Sequence, residues 1–88
     1  MITVDKDHIS RLMLFEAYAE KHQAEEKIRL YHQKYSRSFD AFENHIQNAS
    51  EENFENFDDY IEWKAYRKIA DEINSRIAEL KLANIKVA

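Results

Sequence analysis

WKAYRKIADEINSRIAELKLANIKV (residues 63–87) is the stretch whose reading decides the fold. Trp63, Tyr66, Ala70, Ile73, Ile77, Leu80, Asn84 and Val87 alternate by three and four, the spacing of a coiled-coil seam. Ile69 widens the apolar stripe, and Arg67–Asp71, Lys68–Glu72 and Glu72–Arg76 fall at i,i+4 on the opposite surface. Lys81 and Lys86 lie toward the end where a helix dipole is negative. Asn84 at a seam position fits either a register device or a fraying end. A long amphipathic helix follows.

Just upstream, NFENFDDYIEWKAY (residues 53–66) sets Phe54, Phe57, Tyr60, Ile61, Trp63 and Tyr66 among Glu55, Asp58, Asp59 and Glu62. Aromatic density of this kind makes either a core or a partner-binding face. Asn56 followed three residues later by Asp59 resembles a capping box, and the carboxylates suit a helix N-terminus. The predicted third helix therefore covers about residues 57–83.

Working further upstream, NASEEN (residues 48–53) reads as a loop of cap-forming and acidic residues without periodicity. Before it, Phe39, Phe42 and Ile46 share one face of a short helix over about residues 39–47, which Ser38 can cap. A first helix over about residues 7–34, with Asp7 as its N-cap, carries apolar residues from Ile9 to Tyr35 at spacings of three and four. Its middle is polar, with Lys21–Glu25 and Glu25–Arg29 as i,i+4 pairs. Such a helix is roughly 40 Å long, more than a compact monomer of this size covers. MITVD (residues 1–5) fits a short strand or a tail. Ribbon-helix-helix DNA-binding proteins open with such a strand, but the helix that follows here is too long for that fold.

Composition agrees. The 88 residues contain no Gly, no Pro and no Cys. Hairpins of the primed types lean on Gly or Asn at positive φ, whereas helix interiors need neither Gly nor Pro. Without Cys there are no disulfides and no thiolate metal sites. A chain this short buries only roughly 60–65% of its unfolded surface, so self-association is the expected remedy. The predicted architecture is all-α and single-domain: a long helical hairpin with a short connecting helix, pairing into a dimeric four-helix bundle. The dimer seam would be Trp63, Tyr66, Ala70, Ile73, Ile77 and Leu80.

The charge pattern points to a partner. Net charge is −4, which disfavours nucleic acid. From residue 38 to residue 63 there is no Lys or Arg, yet there are eight carboxylates: Asp40, Glu43, Glu51, Glu52, Glu55, Asp58, Asp59 and Glu62. Lys34, Arg37, Lys64, Arg67 and Lys68 flank this belt. One reading is an electronegative docking surface with aromatic anchors for a basic protein. The other is a solvated loop and a dipole-matched helix start whose aromatics point inward. The two are compatible if only some of the aromatics are buried. On the first reading the partner-binding residues are Phe54, Glu55, Phe57, Asp58, Asp59 and Glu62.

Catalytic chemistry has little to build on. His8, His22, His32 and His45 lack ligand partners at metal-binding spacing, and there is neither a Glu-x-x-His nor a His-Glu-x-x-His motif. No nucleophile elbow surrounds any Ser, and no Gly exists to build a phosphate or oxyanion loop. No enzyme, metal or cofactor is expected. No apolar run approaches the roughly 20 residues that span a bilayer, and no signal-peptide pattern opens the chain, so a cytoplasmic location is expected. The sequon Asn48-Ala49-Ser50 is then incidental.

From Tyr31 to about Lys81 the chain resembles a group of small prokaryotic helical proteins that act as antitoxin-like partners. The features are Lys34-Tyr35, Ser38-Phe39, Phe42, Asp58-Asp59 and Glu62-Trp63. One departure is Ser36, where the pattern has Gly after the Tyr. The resemblance implies a non-enzymatic protein that dimerises and masks a toxin's active surface, with autoregulation of its own operon; the acidic belt makes a basic toxin-like protein the expected partner. A homodimeric coiled-coil assembly unit is the alternative, and a DNA-binding regulator a further one.

Overall fold

The structure is a computed structural model that describes residues 6–87 of the backbone and residues 8–82 of the side chains. The strand or tail expected at residues 1–5 lies outside these, as do the side chains of Asn84, Lys86 and Val87. Among the described residues there are three helices and no strand: α1 (Lys6–Tyr35), α2 (Phe39–Asn48) and α3 (Phe54–Val87).

Two boundaries differ from the sequence reading. α1 already includes Asp7, which therefore sits inside the helix and not at its cap. α3 starts at Phe54, one turn earlier than expected, because Asn53 and not Asn56 is the cap. The Asn56 backbone N–H donates to Asn53 Oδ1 at 3.1 Å, and the Phe57 N–H donates to the Asn53 carbonyl at 3.0 Å. The α2 cap falls where expected, with the Ala41 N–H donating to Ser38 Oγ at 3.2 Å.

α1 ends because Ser36 turns into the left-handed region at φ 51°. That is the usual way to close a helix, and Gly does it at least cost. The chain reverses through Ser36-Arg37-Ser38 and α2, so α3 runs back antiparallel along α1. Tyr31 stacks on Trp63 at one end of the pairing, and Ala17 meets Ile73 and Ile77 toward the other. The result is a rod of 63 × 25 × 17 Å.

The core has two unequal parts. Under α2, Phe39, Phe42 and Trp63 are buried together, with Ile28, Tyr31, Tyr35, Ile46 and Tyr60 packed around them. Trp63 is at the centre: Tyr31, Tyr35, Phe39 and Phe42 lie with ring centroids 5.4–6.4 Å from its own. Its Nε1–H is buried without a hydrogen-bond partner. Beyond α2 the hairpin has only two helices, and its core thins to Ala17, Ile73 and Ile77 with Leu14 and Leu80 beside them. Ala24 and Ala70 are also buried, and such small side chains let the two helices lie close.

The seam residues of α3 therefore face α1 of the same chain. Trp63, Ala70, Ile73 and Ile77 are buried there, and Tyr66 and Leu80 are half-buried. A second copy would have to cover other residues. The helix-surface ion pairs also differ from the sequence reading. Lys21–Glu25 is present at 3.8 Å, but Arg29 pairs with Glu26, Arg67 reaches across to Asp40 at 3.7 Å, and Arg76 reaches Glu20 at 3.5 Å. The last two tie helix to helix, although exposed pairs of this sort contribute only about 0–1 kcal/mol each.

Candidate functional site

The turn end of the rod collects the acidic belt, and the structure divides it in two. Lys34, at the end of α1, donates to Glu55 at 2.9 Å and to Asp59 at 2.6 Å. The Tyr35 hydroxyl donates to Asp59 as well. Burial opposes the charge on Asp59, but the bonds from Lys34 and Tyr35 outweigh it and hold the carboxyl below its ordinary range. The same contacts with Asp59 and Glu55 raise Lys34. Burial, then the bond to Asp59, pushes the Tyr35 hydroxyl up to about 12. Asp59 is thus a clasp between α1 and α3 and is mostly covered, with a side-chain exposure of 15%.

Two more carboxylates are engaged on the α2 side. Tyr60 donates to Glu43 at 2.7 Å with Lys64 3.9 Å away, and Arg67 faces Asp40. Lys34, Lys64 and Arg67, which flank the belt in sequence, fold back onto it. Glu51, Glu52, Asp58 and Glu62 have no ion-pair partner among the described residues. The Tyr31 hydroxyl is raised by burial first and by the nearby Glu62 second.

The aromatics divide in the same way. Trp63, Tyr60 and Tyr66 turn inward to different degrees, whereas Phe54 is 77% exposed and Phe57 49%. Ile61, at 51%, lies on the same face of α3 at i+7 from Phe54 and i+4 from Phe57. Asp58 and Glu62 stand one step round the helix from these three. The outcome is an apolar stripe bordered by carboxylates on the first two turns of α3.

Between this stripe and the far half of α2 lies an open cleft of about 950 Å³. α2 is held to α3 through Phe39 and Phe42, near its start, with Ile46 packed on the same cluster and Tyr60 bonded to Glu43. Ala41, Ile46, Phe54 and Phe57 give the cleft an apolar part, Asn44, His45, Asn48, Asn53 and Asn56 give it a polar one, and Glu51 and Glu52 lie on its loop side.

Of the six expected partner-binding residues, Phe54, Glu55, Phe57, Asp58 and Glu62 are exposed together. Asp59 is spent inside the chain. Ile61, Ala41 and Ile46 border the same region; Ile61 had a sequence signal in its heptad spacing from Phe54, Ile46 had one as part of the α2 apolar face, and Ala41 had none. Among the described residues no group of His, Asp and Glu is arranged to hold a metal ion, and no helix is long and apolar enough to cross a membrane. No family model matches the chain, and no curated protein or solved structure matches it either.

Proposed function

We propose that this chain is a non-enzymatic protein-interaction module, antitoxin-like in kind, that masks a basic protein partner with the start of α3. The observation that carries the reading is the exposed stripe Phe54, Phe57 and Ile61, set beside Asp58 and Glu62. Large apolar side chains grouped in water mark interaction surfaces, and unpaired carboxylates at their edge select a cationic partner. The resemblance carried by Lys34-Tyr35, Ser38-Phe39 and Glu62-Trp63 points the same way, and three of those residues, Lys34, Tyr35 and Trp63, hold the stripe in place. The test is co-purification with the products of neighbouring genes, using wild type and the double variant Asp58→Lys, Glu62→Lys. Loss of a basic partner in the variant supports the reading; undiminished capture of that partner refutes it.

A homodimeric helical bundle is a second reading, favoured by the open end of the hairpin. Ile9, Leu12, Met13, Phe15 and Tyr18 are all exposed within ten residues of α1. A dimer through that end leaves both acidic tips free, so the two readings coexist. Sedimentation velocity tests it directly.

A further inference from the structure

The cleft between α2 and α3 is an element the docking stripe alone does not use. We propose that it receives an apolar side chain from a lysine- or arginine-bearing helical segment of the partner. The proposal rests on the docking function above and specifies what docks. Three features favour this occupant. The apolar part of the cleft, Ala41, Ile46, Phe54 and Phe57, includes two residues of the stripe that continues to the exposed Ile61 along α3, so one anchor sits between the helices and another on Ile61. Phe54 to Ile61 spans roughly 10 Å, about two turns, the spacing at which a helical ligand repeats its anchors. The charge beside the cleft is negative: Glu51 and Glu52 have no ion-pair partner among the described residues, and the carbonyl end of α2 lies in the same region. Arg37 lines the far edge and sets a limit there to where the partner's cations fit.

The cleft is an anchoring pocket and Asp58 and Glu62 are the cation-selecting edge, which makes the two separable. The experiment titrates the full ¹⁵N-labelled chain with three synthetic peptides of helical spacing: leucine–lysine, serine–lysine of equal charge, and leucine–glutamate. The expected result is saturable binding of the leucine–lysine peptide, with the largest amide shifts at Ala41, Ile46, Phe54 and Phe57. Ala41→Trp, which fills the cleft from an exposed helix position, should weaken it at least tenfold. Phe54→Ser is the second variant and removes one wall from a side chain already 77% exposed. Equal binding of the serine–lysine peptide, or shifts confined to Asp58 and Glu62, overturns the cleft proposal and leaves charge-directed docking standing. Equal binding of the leucine–glutamate peptide overturns both. Absence of saturable binding by the leucine–lysine peptide overturns the cleft proposal.

Discussion

Ser36 shows how a single residue carries a fold-level decision. Its φ of 51° lies in the left-handed region, where a side chain costs energy that Gly avoids. Without that reversal α1 would run on, and Lys34 and Tyr35 would not face Asp59. Ser36→Gly should therefore stabilise the chain by roughly 0.5–1 kcal/mol, relief of strain outweighing the extra freedom of the unfolded chain. Urea denaturation measures it, and an unchanged or lower midpoint contradicts it. Tyr35 makes a second residue-level prediction. Its hydroxyl is held above its ordinary value of 10.0, at about 12, by burial and Asp59. A raised folded value gives stability that is complete below pH 10 and is lost as pH rises toward 12. The urea midpoint of the wild type should fall over that interval, and Tyr35→Phe, weaker at neutral pH, should fall less steeply. Parallel loss in both proteins would remove Tyr35 from the account.

At the scale of elements, α3 was legible and its beginning was not. The three-and-four spacing from Trp63 onward specifies a helix because each apolar position falls on one stripe, and all of it is helical. Its first turn was misplaced because Asn53 and Asn56 are equally good caps by type, and only the chain's path out of α2 selects between them. That turn carries Phe54, so the error bore on the site itself. Which carboxylates stay free was equally hidden. Lys34, Lys64 and Arg67 lie outside the belt in sequence and return to it only when the hairpin closes. Asn53→Ala should cost about 1 kcal/mol. It should also speed amide exchange at residues 54–57 more than at residues 63–77, while Asn53→Asp retains the protection. Uniform loss of protection along α3 would show that the cap does not hold that turn separately.

At the scale of the whole molecule, the rod leaves more surface in water than its mass warrants. The chain exposes 7019 Å², whereas a compact monomer of this mass exposes about 5,500 Å². The excess, roughly 1,500 Å², is more than the ~800 Å² that each partner gives to a standard interface. It is also unevenly placed, because α2 covers the aromatic half and no third helix among the described residues covers the half that holds Ala17, Ile73 and Ile77. There Ile9, Leu12 and Met13 follow an i, i+3, i+4 spacing on α1, with Phe15 at 74% exposure next to them. A second copy laid against this half adds the helices that the thin core lacks and keeps both acidic tips clear. The wild-type chain should thus sediment at micromolar concentration with twice the 10.6 kDa monomer mass. Leu12→Ser and Phe15→Ser each remove roughly 1–2 kcal/mol of apolar burial, so each should weaken the dimer about tenfold. Asp58→Lys, at the other end of the rod, should leave the dimer unchanged. A wild-type monomer at that concentration refutes the dimer, and equal weakening by Asp58→Lys places its interface at the acidic tip.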